Sequence, residues 1–84
     1  MTNKNIRINL ENGLEARLVA HLVQEASKYE STVHVISEGK KVNAKSIMGM
    51  MTLSLSNGDE LEVIAEGKDE QAAVDGIEKF LSGK

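Results

Sequence analysis

Ile6, Ile8 and Leu10 alternate with Arg7, Asn9 and Glu11, a period of two that predicts a strand with one buried face. Asn12-Gly13 interrupts the pattern. From Ala16 to about Tyr29 the period lengthens. Val19, Leu22, Val23 and Ala26 form an apolar stripe at helical spacing, with Arg17, His21, Gln24, Glu25 and Lys28 on the wet side. Alternation returns from Thr32 to Ser37 through Val33 and Val35, and Glu38-Gly39-Lys40 reads as a hairpin turn into a short strand around Val42. Ser46-Ile47-Met48-Gly49-Met50-Met51 predicts a short helix with Ser46 as its N-cap. Asn57-Gly58-Asp59 marks a further turn, Leu61 to Ala65 a strand, and Gly67 its end. Asp69 is placed to cap a final helix with the stripe Ala73, Val74, Ile77, Phe80 and Leu81. Gly76 inside that helix costs about 1 kcal/mol relative to alanine, so the helix must lean on tertiary packing.

The expected order is strand, helix, strand, strand, short helix, strand, helix. Two adjacent hairpin-type strands exclude a purely alternating parallel sheet. Single apolar stripes on the helices and single apolar faces on the strands predict a two-layer α+β sandwich, with the other sheet face left to solvent. No proline, repeat or low-complexity stretch marks a boundary, so residues 1–84 are expected to form one domain.

Composition narrows the chemistry. The 84 residues include no cysteine, which removes disulfide, zinc-thiolate and thiol-nucleophile chemistry. Tyr29 and Phe80 are the only aromatics, too few for a base-stacking platform. A net charge of -3 argues against direct nucleic-acid binding. Apolar runs fall far short of the roughly 20 residues of a membrane span, and the first residues lack a signal-peptide pattern. A cytoplasmic module without membrane insertion is the expectation.

Candidate catalytic groups are few. His21 and His34 lie on different predicted elements without metal-ligand spacing, and read as an exposed helix histidine and a strand-face histidine. Glu60, Glu62 and Glu66 read as solvated faces, and Asp69 and Glu70 as a helix start. No phosphate-cradling glycine loop is present. Met48, Met50 and Met51 cannot all point inward from a short helix, so Ile47, Met48 or Met51 should leave apolar surface exposed that suits a partner; the alternative is that all the methionines are core filler. Ser46 is a cap, or a cap that also accepts a phosphate, whose charge of about -1.5 to -2 is tolerated beside helix N–H groups. Lys40, Lys41 and Lys45 precede it and are placed to pair with such a charge.

Gly13-Leu14-Glu15-Ala16-Arg17, the stretch Lys40-Lys41-Val42-Asn43-Ala44-Lys45-Ser46-Ile47-Met48-Gly49, and Ala65-Glu66-Gly67 resemble the HPr family of the bacterial phosphotransferase system over the whole chain. The resemblance implies an HPr-like open-faced β-sandwich of order βαββαβα, a four-stranded antiparallel sheet covered on one face by helices. HPr proper carries a phosphoryl group from enzyme I on the histidine of Gly-Leu-His-Ala-Arg-Pro. Here Glu15 occupies that position and Leu18 replaces the proline. A carboxylate cannot form the transferable phosphoramidate, so no catalytic residue and no cofactor or metal is expected.

Loss of the histidine with retention of the serine is most similar to the Crh-like (catabolite repression HPr) branch. It implies phosphorylation of Ser46 by HPr kinase/phosphorylase, followed by binding to the transcription regulator CcpA as a corepressor. Arg17, Ala20, Ile47, Met48 and Met51 would supply the contact, with Ile47 and Met48 exposed beside Arg17. Glu15 is either a helix-start charge favoured by about 0.3–1 kcal/mol or a partial mimic of phosphohistidine that weakens regulator binding. Two alternatives stay open. One is a phosphocarrier, or a degenerate relative, that docks on enzyme I. The other is a binding module that acts without phosphorylation.

Overall fold

The structure, a computed structural model, describes residues 1–9 and 17–82. Seven elements follow in order: β1 (Thr2–Arg7), α1 (Leu18–Ser27), β2 (Thr32–Ser37), β3 (Lys40–Asn43), α2 (Ile47–Met50), β4 (Glu60–Glu66) and α3 (Glu70–Leu81). The strands form one antiparallel sheet of order β1-β4-β2-β3. This is the expected α+β arrangement.

Period-two alternation decides which face the helices cover. Ile6, Val33, Val35, Leu61, Val63 and Ala65 are buried on one side of the sheet against Leu18, Leu22 and Ala26 of α1 and Ala73, Val74, Ile77 and Leu81 of α3. The opposite face carries Arg7, Glu60, Glu62, His34 and Lys41, none of them buried. β1 ends at Arg7, short of the alternating pattern that continues through Ile8, but Ile8 stays in the core and its N–H donates to Asp59 O at 2.9 Å. Leu10, Asn12 and Gly13 lie outside the described residues.

The helical stripe of α1 differs from the expected one. Leu18, Leu22 and Ala26 are its buried line, and Val19 and Val23 are only half-buried. His21 is half-buried rather than exposed, with its ring centroid 6.1 Å from that of Phe80 on α3. Gly76 has a packing reason, since the Tyr29 hydroxyl occupies the space a side chain there would need.

The β2–β3 turn is a two-residue connection with both central residues at positive φ, Glu38 at 52° and Gly39 at 80°. That geometry matches the twist of the flanking strands. Glycine meets it without strain, and Glu38 is accommodated at some cost.

Asp69 and Glu70 are neither a simple cap nor a solvated helix start. Asp69 sits at the N-cap position of α3 without a side-chain cap bond. Its carboxylate instead accepts the N–H groups of Glu30 and Ser31, each at 2.9 Å, and the Ser31 hydroxyl. Gly67 at φ 151° passes so close that a Cβ there would lie 2.8 Å from Ser31 Cα. These bonds fix the α1–β2 connection against the start of α3, and hydrogen bonds from Ser31 and Glu30 lower the Asp69 pKa.

Glu70 accepts from the Thr2 hydroxyl and from Gly67 N–H at 3.2 Å, and its Oε2 lies 3.0 Å from the Met1 amino group. The Thr2 hydrogen bond, followed by the bond from the Met1 amino group, holds its pKa down at about 2. A depressed carboxylate stabilises the fold above its ordinary value of 4.5, and that contribution is lost as pH falls through about 2. Glu70→Gln should therefore flatten the fall in stability between those values. Urea midpoints measured across the acid range check this, and an unchanged acid slope would contradict it.

Candidate functional site

Asn43 begins the segment that positions Ser46. Its side-chain Oδ1 accepts Lys45 N–H at 2.8 Å and its carbonyl accepts Ser46 N–H at 3.0 Å, a local turn of the kind asparagine favours. Ser46 then takes an extended backbone conformation at the N-cap of α2. Gly49 N–H donates to Ser46 Oγ at 3.2 Å, and Met50 N–H donates to Ser46 O at 2.9 Å. The expected cap is present, and Ser46 remains partly accessible.

At about 100° per residue, positions 47, 48 and 51 fall on one arc of α2 while position 50 turns away. Met50 is fully buried, whereas Ile47 is 49%, Met48 79% and Met51 70% exposed. Apart from Met1, these are the exposed large hydrophobics among the described residues, and they are contiguous with Ser46. The apolar surface expected on this helix is thus real. The burial of Met50 was not singled out in the sequence.

Arg17, at the N-cap of α1, and Ala20, in its first turn, are exposed and three residues apart, and so lie on one face. α1 packs against α2, which places the two exposed faces on adjoining helices. Glu15 lies outside the described residues. Lys45 does not point toward Ser46 as an ion-pair partner: its Nζ donates to Tyr29 O at 2.6 Å, just beyond the C-terminus of α1. A cation there complements the carbonyl end of the helix. Lys40 and Lys41 are exposed on β3.

His21 lies on α1, next to Ala20 in the chain, and His34 on the open sheet face. No group of three or more potential metal ligands occurs among the described residues. No helix among them is long and apolar enough to cross a membrane. A concavity between α1 and α3 is lined by Glu25, Tyr29, Gly76, Lys79 and Phe80 and does not include α2.

Residues 2–83 match the family described as the PTS HPr component phosphorylation site. The chain is 43% identical over 81 residues to the HPr-like protein Crh of Halalkalibacterium halodurans, covering 96% of each. It is 44% identical to the HPr-like protein Crh of Bacillus subtilis, covering 96% of this chain and 95% of that one. The crystal structure of HPr-C-His from Thermoanaerobacter tengcongensis superposes with a TM-score of 0.87 at 43% identity, over 96% of this chain and 91% of that one.

The cap makes a testable demand. Ser46→Ala removes the acceptor for Gly49 N–H and should lower stability by about 1 kcal/mol, with faster hydrogen exchange at the Gly49 amide. Ser46→Asp, which keeps an acceptor, should retain most of the protection. Equal exchange in all three proteins would show that Ser46 does not hold the start of α2.

Proposed function

The chain belongs to the HPr family, and from that premise we propose that it is a non-enzymatic regulatory protein of carbon catabolite repression, a single HPr-like domain switched by phosphate on Ser46. The observation that carries the reading is the adjacency of a capping serine to an apolar patch that stands exposed among the described residues. HPr kinase/phosphorylase would transfer the γ-phosphoryl group of ATP. The Ser46 Oγ–P bond forms, the bond to ADP breaks, and the hydroxyl proton leaves to a base of the kinase.

The product gains about -1.5 to -2 charge without needing to unfold α2. Met48 and Met51 already face outward, so the charge adds to a formed surface rather than creating one. Lys45 stays with the Tyr29 carbonyl, which leaves the phosphate available to a basic group on the partner. A CcpA-type transcription regulator fits this demand, with Arg17 and Ala20 extending the contact onto α1 and Ile47, Met48 and Met51 filling it. The protein thereby reaches operator DNA through a DNA-binding partner, consistent with its own acidic balance.

Glu15 in place of the family histidine removes the phosphoramidate chemistry of a carrier. The structural likeness to HPr-C-His supports a second reading, a degenerate phosphocarrier relative that still docks on enzyme I. Glu15→His separates the two: phosphoryl acceptance from enzyme I would show that this docking surface persists.

The regulatory reading is tested by titrating the Ser46-phosphorylated protein against a CcpA-type regulator. Phosphorylation should tighten binding about tenfold or more, in line with charge-assisted hydrogen bonds. Arg17→Ala should weaken it, and Ser46→Ala, which takes no phosphate there, should bind no better after kinase treatment. Glu15→Gln in the same titration reads the phosphohistidine-mimic hypothesis, since unchanged affinity would exclude it. Indifference of the regulator to phosphate on Ser46 would overturn the regulatory reading.

A further inference from the structure

We propose that Met48 and Met51 form a reversible oxidation site, whose sulfoxides switch off the apolar patch beside Ser46. The inference rests on the regulatory reading for its effect, and on the geometry of α2 for its chemistry. Three thioethers lie within little more than one helical turn, and the fold divides them sharply: Met50 is fully buried, while Met48 and Met51 stand in solvent. The chain contains no cysteine, so no thiol within it competes for an oxidant.

The oxidant is a peroxide. A sulfur lone pair attacks one peroxide oxygen, the O–O bond breaks, and an S–O bond forms. For hydrogen peroxide the transferred hydroxyl gives up its proton to the leaving hydroxide, so one sulfoxide and one water result. Sulfur loses two electrons and the peroxide gains them. The reaction converts a flexible apolar side chain into a polar one.

Position gives the modification its meaning. Met48 and Met51 share the exposed arc with Ile47 and supply most of the patch, so two sulfoxides leave Ile47 as its one remaining large apolar group. A partner pocket that accepts thioethers would have to desolvate two strongly polar S–O groups instead. Ser46 is untouched, so phosphorylation and oxidation act on neighbouring atoms by different chemistry and in opposite directions. Methionine sulfoxide reductases of both stereochemical classes would restore the surface.

The test uses the full chain, phosphorylated on Ser46, exposed to hydrogen peroxide and freed of it before titration against a CcpA-type regulator. Peptide mass mapping should find sulfoxide at Met48 and Met51 well before Met50, with affinity falling about tenfold or more, as expected for losing central apolar contacts. Treatment with the reductases should return the lost affinity. The Met48→Leu, Met51→Leu double variant is compared only with itself, and its affinity should be the same before and after peroxide even though Met1 remains oxidisable.

Oxidation of Met50 as early as the other two would overturn the proposed site. Undiminished binding by the mapped double sulfoxide would overturn the switch. Failure of the untreated phosphoprotein to bind the regulator would instead remove the functional reading and the switch with it, while the mass map would still decide the oxidation site.

Discussion

A helix of four residues closes too few hydrogen bonds to form unaided, so the surface around Ser46 depends on what pins α2 to the rest of the fold. Met50 is the pin. Its side chain is fully buried, with Ala44 buried before the helix and Leu53 buried after it. Burying a side chain of that size contributes about 1.5–3 kcal/mol, against about 1 kcal/mol for the Ser46 cap. Packing therefore sets the rotation of the helix, and the cap fixes where it starts. Once Met50 points inward, the helical angle turns Ile47, Met48 and Met51 outward together.

The same single-sided burial runs through the whole fold. Three helices cover one face of the sheet, and the residues that make this possible sit at alternate positions along each strand. That is why the strands were legible: Val33 and Val35, or Leu61, Val63 and Ala65, carry the period in a few residues each. Ser46 and the direction of the α2 side chains were legible for a similar reason, because a cap followed by a short apolar run leaves few ways to orient it.

What escaped the sequence depends on partners far along the chain. Ser31 is buried and bonded to Asp69, a contact no local pattern announces. Glu70 looked like an ordinary acidic first-turn residue, yet it gathers bonds from the first strand and from Gly67. Leu18 stood out only as the residue in place of a proline, although it is a fully buried core position. Lys45 was placed beside Ser46 by sequence proximity, but a basic side chain near the end of α1 finds the Tyr29 carbonyl first. Only the Asn43 turn had a local signal, an asparagine two residues before Lys45, the residue whose N–H it accepts.

The account stands on Ser46 being the residue that changes state. Intact mass with site mapping after incubation with HPr kinase/phosphorylase and ATP tests this directly, with enzyme I and phosphoenolpyruvate as the parallel reaction. One phosphate on Ser46 in the kinase reaction, and none in the parallel one, is the predicted result. Phosphate delivered by enzyme I to another residue, or no phosphate on Ser46 from the kinase, would contradict it.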